Sequence, residues 1–162
     1  MAGASQSRAD SNSFPFCLAG EIFVKDNETL LTDGSRTVPL AQYTLMSQVA
    51  STKKWVPWLN ANLGGTTGTQ YPIGILATPG GITAAALAAG DVTGVQIYYA
   101  GKGAQIDLSQ IIFDRGSTGV GTPNTLDSIP TVPTNLALTG EQILAMKGFV
   151  FVSTVAIDNL EN

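Results

Sequence analysis

The chain of 162 residues is long enough to bury a core, yet only 12% of it is charged while 44% is apolar, about half the usual charged share of a soluble domain. A formal net charge of −4 with eight scattered Lys and Arg excludes a phosphate-neutralising nucleic-acid surface, which needs clustered cations. No histidine is present and Cys17 is the single cysteine, which excludes Ser-His or Cys-His catalysis, a disulfide framework within the chain and the common zinc sites.

Residues 1–13 are, after Met1, Ala, Gly, Ser, Gln, Asp and Asn with one Arg, too polar to offset ordering entropy by burial. They carry no apolar leader core, and no window approaches a membrane-spanning apolar run, so the expectation is synthesis in a host cytoplasm without signal peptide or membrane span. "FPFCL" follows. Pro15 holds an extended backbone between Phe14 and Phe16, and two readings stand: the rings anchor the first strand on the core, or they dock on another protein. Residues 1–20 are thus expected to form a flexible arm, with Ser13, Phe14, Pro15 and Phe16 as candidate contacts.

"GEIFVKD" alternates as a strand, "NETLLTDGSRTV" resumes after a turn, and Asp33-Gly34 signals a hairpin. In "PLAQYTLMSQVASTKKWVPW" a strand, a polar turn and a short returning strand follow one another, with Pro57 restricting the last to an edge or an end. After a glycine-rich loop, "IGILAT" suits a buried strand. "ITAAALAAGD" predicts a short helical turn over residues 84–88 stopped by Gly90. "VTGVQIYYAG" is then a strand with Val95, Ile97 and Tyr99 on one face and Gln96 and Tyr98 on the other. "GKG" reads as a tight return into "AQIDLSQIIFD".

Residues 115–137 hold three prolines and many turn formers and read as an excursion over the surface. Thr139 and Gln142 form a capping box for a helix over residues 140–147 with Gly148 at its end. "FVFVSTVAID" alternates as a final strand with both faces mostly apolar, which predicts cover on both sides; a subunit contact is one way to supply it. The fold class is mainly β with one or two short helices, and residues 21–162 are expected to form one β-rich domain.

Candidate chemistry is sparse. "GGTTGT" and "AGKGA" lack the spacing and hydroxyl of a phosphate loop, and "GSTGVG" offers Ser117 without a base. Asp107 and Asp114 read as solvated turn residues, and Cys17 as a small buried hydrophobe. Trp55, Trp58 and Tyr98, with Tyr43 and Tyr99, are candidate interface or sugar-stacking aromatics, with core packing as the alternative. No cofactor and no metal are expected.

The order of these segments carries a resemblance. Lys54 and Trp55 close an early strand pair, "GIL" at residues 74–76 precedes a small-residue turn, and "AAGD" at 88–91 leads into the valine-rich strand 92–100. A late helix then ends on a glycine before aromatic β-structure, over residues 143–151. In this order the chain resembles the lambda-type head decoration proteins of tailed bacteriophages, over most of residues 37–152. The resemblance implies a compact fold of β-barrel or β-tulip type and a homotrimer on the outer capsid surface at local three-fold positions. It further implies an N-terminal arm that orders on the major capsid protein, and a cementing role without catalysis against the pressure of packaged DNA. Residues 21–32 and 115–137 depart from the compact pattern, as a protruding tip, an extra clasp or contacts between neighbouring trimers. A head-fibre base and a carbohydrate- or host-surface-binding module are the alternatives.

Overall fold

The computed structural model describes residues 6–10, 16–133 and 136–152. The strands are β1 (Gln6–Asp10), β2 (Cys17–Ala19), β3 (Glu21–Leu30), β4 (Leu45–Gln48), β5 (Trp55–Pro57), β6 (Gly74–Leu76), β7 (Val92–Ala100), β8 (Gln105–Asp107) and β9 (Val150–Val152). The helices are α1 (Ala84–Ala89) and α2 (Gly140–Met146). The architecture is mainly β, as composition and alternation predict.

One sheet runs β1-β3-β5-β4-β6-β7, and β3 also pairs antiparallel with β7, so the path β3-β5-β4-β6-β7 returns to β3. The closing contact is short: Leu30 faces Trp55 in parallel register, and Leu31 N donates to Trp55 O at 2.9 Å. The second sheet is β2-β8-β9, antiparallel then parallel. "GKG" therefore does not turn β7 back on itself. It carries the chain from one sheet to the other, because Ile106 has Cys17 and Phe151 as its partners.

Alternation along the strands divides the buried side chains into two clusters. Ile22, Val24, Leu45, Ile75 and Tyr98 join Phe16, Ile106, Leu144 and Phe149 between the two sheets and α2. Met46, Leu76, Val95 and Ile97 join Leu30, Trp55 and Leu87 in the other. On β7 the division is the one that period-two alternation predicts. On β3 it is not, since Val24 and Leu30 share parity yet lie in different clusters. An extra residue between Lys25 and Glu28, with Asn27 at φ 60, shifts the register against β7 and turns the strand over. The sequence signals a turn at this point, and the structure makes a bulge instead. Likewise Asp33-Gly34 is a turn without a hairpin: Asp33 Oδ1 accepts from Ser35 N at 3.2 Å and the chain leaves the sheet.

The caps of α2 are where the sequence puts them, and α1 has one the sequence reading does not name. Thr83 Oγ1 accepts from Ala86 N at 3.2 Å to start α1. Thr139 and Gln142 exchange both bonds of the capping box, and Gly148 at φ 94 follows the end of α2. Residues 115–133 form turns without strand or helix, with their backbone bonded at intervals to the body, as where Thr131 N donates to Leu63 O at 2.9 Å.

Candidate functional site

The expectation of a free arm does not hold for the parts of residues 1–20 that the structure describes. Gln6–Asp10 pairs antiparallel with residues 21–25 of β3. Phe16 is 0% exposed, its ring 4.8 Å from both Tyr43 and Tyr98, and its carbonyl accepts from Asp107 N at 2.8 Å. An aromatic ring that can reach an apolar cluster gains more by entering it than by waiting in water. Of the proposed contacts, Phe16 is therefore a core residue, while Ser13, Phe14 and Pro15 lie outside the described residues.

Trp55, Trp58 and Tyr98 are likewise interior, at 0%, 1% and 4% exposure. Trp55 Nε1 donates to Glu28 Oε2 at 2.6 Å, and Trp58 Nε1 donates to Gln70 O at 3.0 Å, so each indole spends its polar edge inside the chain. Each also lies against a glycine. A Cβ on Gly74 would sit 3.0 Å from the Trp55 ring, and one on Gly140 would sit 2.4 Å from Trp58. With their faces covered, these tryptophans offer no stacking platform to a sugar or a partner.

A polar cluster gathers elsewhere. Arg36, 4% exposed, donates from Nη1 and Nη2 to Asp114 Oδ2 and Oδ1 at 2.9 and 2.6 Å, and from Nε to Val38 O at 2.9 Å. Asp33 accepts from Ser117 Oγ at 2.6 Å and from Ser35 Oγ at 2.8 Å. Burial pushes the Asp33 carboxyl up, but these hydroxyl bonds and the nearby Arg36 charge more than offset it and hold it below the usual range. Together they pin the turn at residues 115–121, where Gly121 N donates to Arg115 O at 2.8 Å. At its tip Val120 is 83% exposed. Asp107 and Asp114, expected as solvated turn residues, are 8% and 9% exposed; Asp107 is occupied in bonding Ser109 N and Oγ. Sequence spacing misses the Arg36–Asp114 pair because its partners are 78 residues apart.

Two surface concavities stand out among the described residues. One, of about 290 Å³, is lined by Leu59, Asn60, Ala61, Arg115 and Thr122 among others. The second, of about 380 Å³, is an apolar groove formed by Tyr71, Ile73, Leu136, Leu138, Ile143 and Met146 with Lys147 at its lip. Neither brings a nucleophile and a base together. Burial pushes the Cys17 thiol up, away from the thiolate, and its Sγ bonds Ala19 O at 3.3 Å. Ser117 donates to a carboxylate whose lowered proton affinity makes it a weak base. Among the described residues no group of three or more Cys, Asp or Glu is placed to hold a metal, and no helix is long and apolar enough to cross a membrane.

The buried Tyr98 and the half-buried Tyr99 give the molecule an alkaline limit. Burial, then the neighbouring Tyr43, pushes the Tyr98 phenol up to about 12, and burial with the Glu28 charge pushes Tyr99 up as well. Unfolded tyrosines ionise near pH ~10. Above that pH the unfolded chain holds fewer protons than the folded one, so stability falls with rising pH. The stabilisation is complete below pH ~10 and is lost on the way to pH ~12. Urea midpoints measured at pH 8, 10 and 11 are expected to be flat and then to fall, with a smaller fall in Tyr98→Phe; equal slopes in both proteins would remove Tyr98 as the cause.

No protein-family model, no curated protein and no solved structure matches this chain.

Proposed function

We propose that this chain is a structural virion protein: a head decoration protein that binds the outside of a tailed-phage capsid as a homotrimer and cements it against the pressure of packaged DNA. The observation that carries the reading is the order of motifs along residues 37–152. Its structural counterparts support it. The Thr83-capped turn feeds the Val92–Ala100 strand, and the capped α2 ends at Gly148 before the aromatic strand β9. The return of the strand path to β3 supports the finer reading, a small closed barrel with Trp55, Leu76 and Ile97 inside.

Cementing requires shape-matched contact spread over a large area, and few charges to desolvate. The low charge of the chain and its separate exposed apolar side chains, Val120, Met146 and Val150, suit that task. In this reading Val120 on its pinned turn is a protruding contact toward the shell or a neighbouring trimer. Major capsid protein is the partner, and the outer capsid surface the location.

The burial of Phe16 decides how the arm is tested. Removing residues through Leu18 cuts into the core and confuses attachment with folding, so the truncation stops at Pro15; it still strips the edge strand β1 from β3, which the tryptophan signal has to show is tolerated. A chain lacking residues 1–15 is expected to keep its near-ultraviolet tryptophan signal. It is expected to lose attachment to expanded heads by on the order of tenfold or more, since three arms per trimer act together. Undiminished attachment would discard the arm. Electron microscopy of heads with and without the protein tests the whole reading: no added density at the local three-fold positions, or virions that never contain the chain, would end it.

A further inference from the structure

The smaller concavity lies at the base of the turn that carries Val120, and the backbone of that turn is held along its length. Gly116 N donates to Asp114 Oδ2 at 3.1 Å, Gly119 N to Gly116 O at 3.0 Å, and Thr37 N to Ser117 O at 2.8 Å. Gly121 N then returns to Arg115 O at 2.8 Å, an approach that needs glycine, since a Cβ there would lie 2.4 Å from that oxygen. The return brings Thr122 to the same concavity as Arg115, with Leu59, Asn60 and Ala61 from the chain after β5. We propose that this concavity is a carboxylate site, in which Arg115 takes the acidic side chain of a partner protein.

Charge points to that ligand. Lys25, Arg36 and Lys54 are each paired with an acid of this chain, whereas Arg115 is exposed and makes no ion pair among the described residues. The lining of the concavity holds no carboxylate to neutralise it. A guanidinium presents a planar fork that fits the two oxygens of a carboxylate, and the Asn60 amide and Thr122 hydroxyl supply further donors. Size and lining agree: about 290 Å³ is at the small end of ligand pockets, room for one side chain rather than a cofactor. Leu59 and Ala61 suit the methylene stem of a glutamate. Because the turn is already fixed, little ordering has to accompany binding. The identity of the partner as capsid protein rests on the decoration reading; its chemistry rests on the concavity alone.

Nuclear magnetic resonance titration of the full-length protein tests the chemistry, with N-acetyl-glutamate N-methylamide as the probe and its glutamine counterpart as the control. The glutamate probe is expected to move the amides of Asn60, Gly116, Gly121 and Thr122 to saturation, with a Kd on the order of millimolar that weakens as salt is added. The glutamine probe is expected to move none of them. Arg115→Gln should abolish the response, and Ala61→Trp, which fills the concavity and keeps the cation, should weaken it on the order of tenfold. Both positions are exposed, so the fold tolerates either change. Equal responses to the two probes, or a glutamate response that survives Arg115→Gln, would overturn the site. Inorganic phosphate binding more tightly than the glutamate probe would overturn the carboxylate assignment. Attachment to expanded heads tests the partner: Arg115→Gln is expected to weaken it on the order of tenfold, with three copies per trimer acting together. Undiminished attachment would overturn the capsid protein as partner. Heads that never take up the unaltered protein, with the glutamate probe still saturating, would support the site and end the decoration reading.

Discussion

Asp114→Ala is expected to be the most damaging single substitution away from the apolar clusters, costing about 3–5 kcal/mol. The reason is what it leaves behind. Arg36 stays charged, is 4% exposed, and loses both bonds of its carboxylate fork. For a chain of this size the loss corresponds to a fall in Tm of about 10 °C. Removing both partners is a different experiment: Arg36→Met/Asp114→Leu is expected to recover part of the loss, because two apolar side chains need no desolvation. Recovery stays incomplete, since Val38 O and Gly116 N also lose bonds to this pair. Thermal melts of the two variants distinguish a charge effect from a packing effect; equal destabilisation would mean that the pair acts through shape alone.

Gly140→Ala is expected to destabilise by about 2–3 kcal/mol, although alanine is a better helix former than glycine by ~1 kcal/mol. Gly140 opens α2, and its amide donates to Ser128 O at 2.8 Å. A methyl there would meet Trp58 Cη2 at 2.4 Å, a ring held by its bond to Gln70 O. Neither the helix nor the indole can yield without losing a hydrogen bond. Trp58→Leu placed in the Gly140→Ala background is expected to cost less than Trp58→Leu alone, a coupling that a denaturant double-mutant cycle reads. Additive effects would show that the glycine is not there for the ring.

These residues also mark what could be read from the sequence. Local signals suffice in places: Thr139 with Gln142 and Gly148 bound α2, Gly90 ends α1, and the alternation of Val95, Ile97 and Tyr98 assigns both faces of β7. Each rests on contacts within a few residues. Failures occurred where the deciding partner is far along the chain. Trp55 and Trp58 read equally as interface or core aromatics, and it is Glu28, Gly74, Gln70 and Gly140 that enclose them. Asp114 read as solvated because Arg36 cannot be seen from its side of the sequence. Phe16 was open between core and contact, and the positions of Tyr43 and Tyr98 decide it. An aromatic or charged residue has no period of its own to show where it points.

The closed path of strands carries a consequence for biosynthesis. β3 finds its long partner β7 some 70 residues later, and Phe16 shares a cluster with Phe149. A growing polypeptide on the ribosome therefore cannot close the strand path until β7 has emerged, nor complete the cluster that holds Phe16 until Phe149 has, and pairings this distant are slow to find. Ribosome-stalled chains ending before β7 should remain protease-sensitive throughout, and chains ending before Phe149 should remain so at the residues of the cluster that Phe16 and Phe149 share.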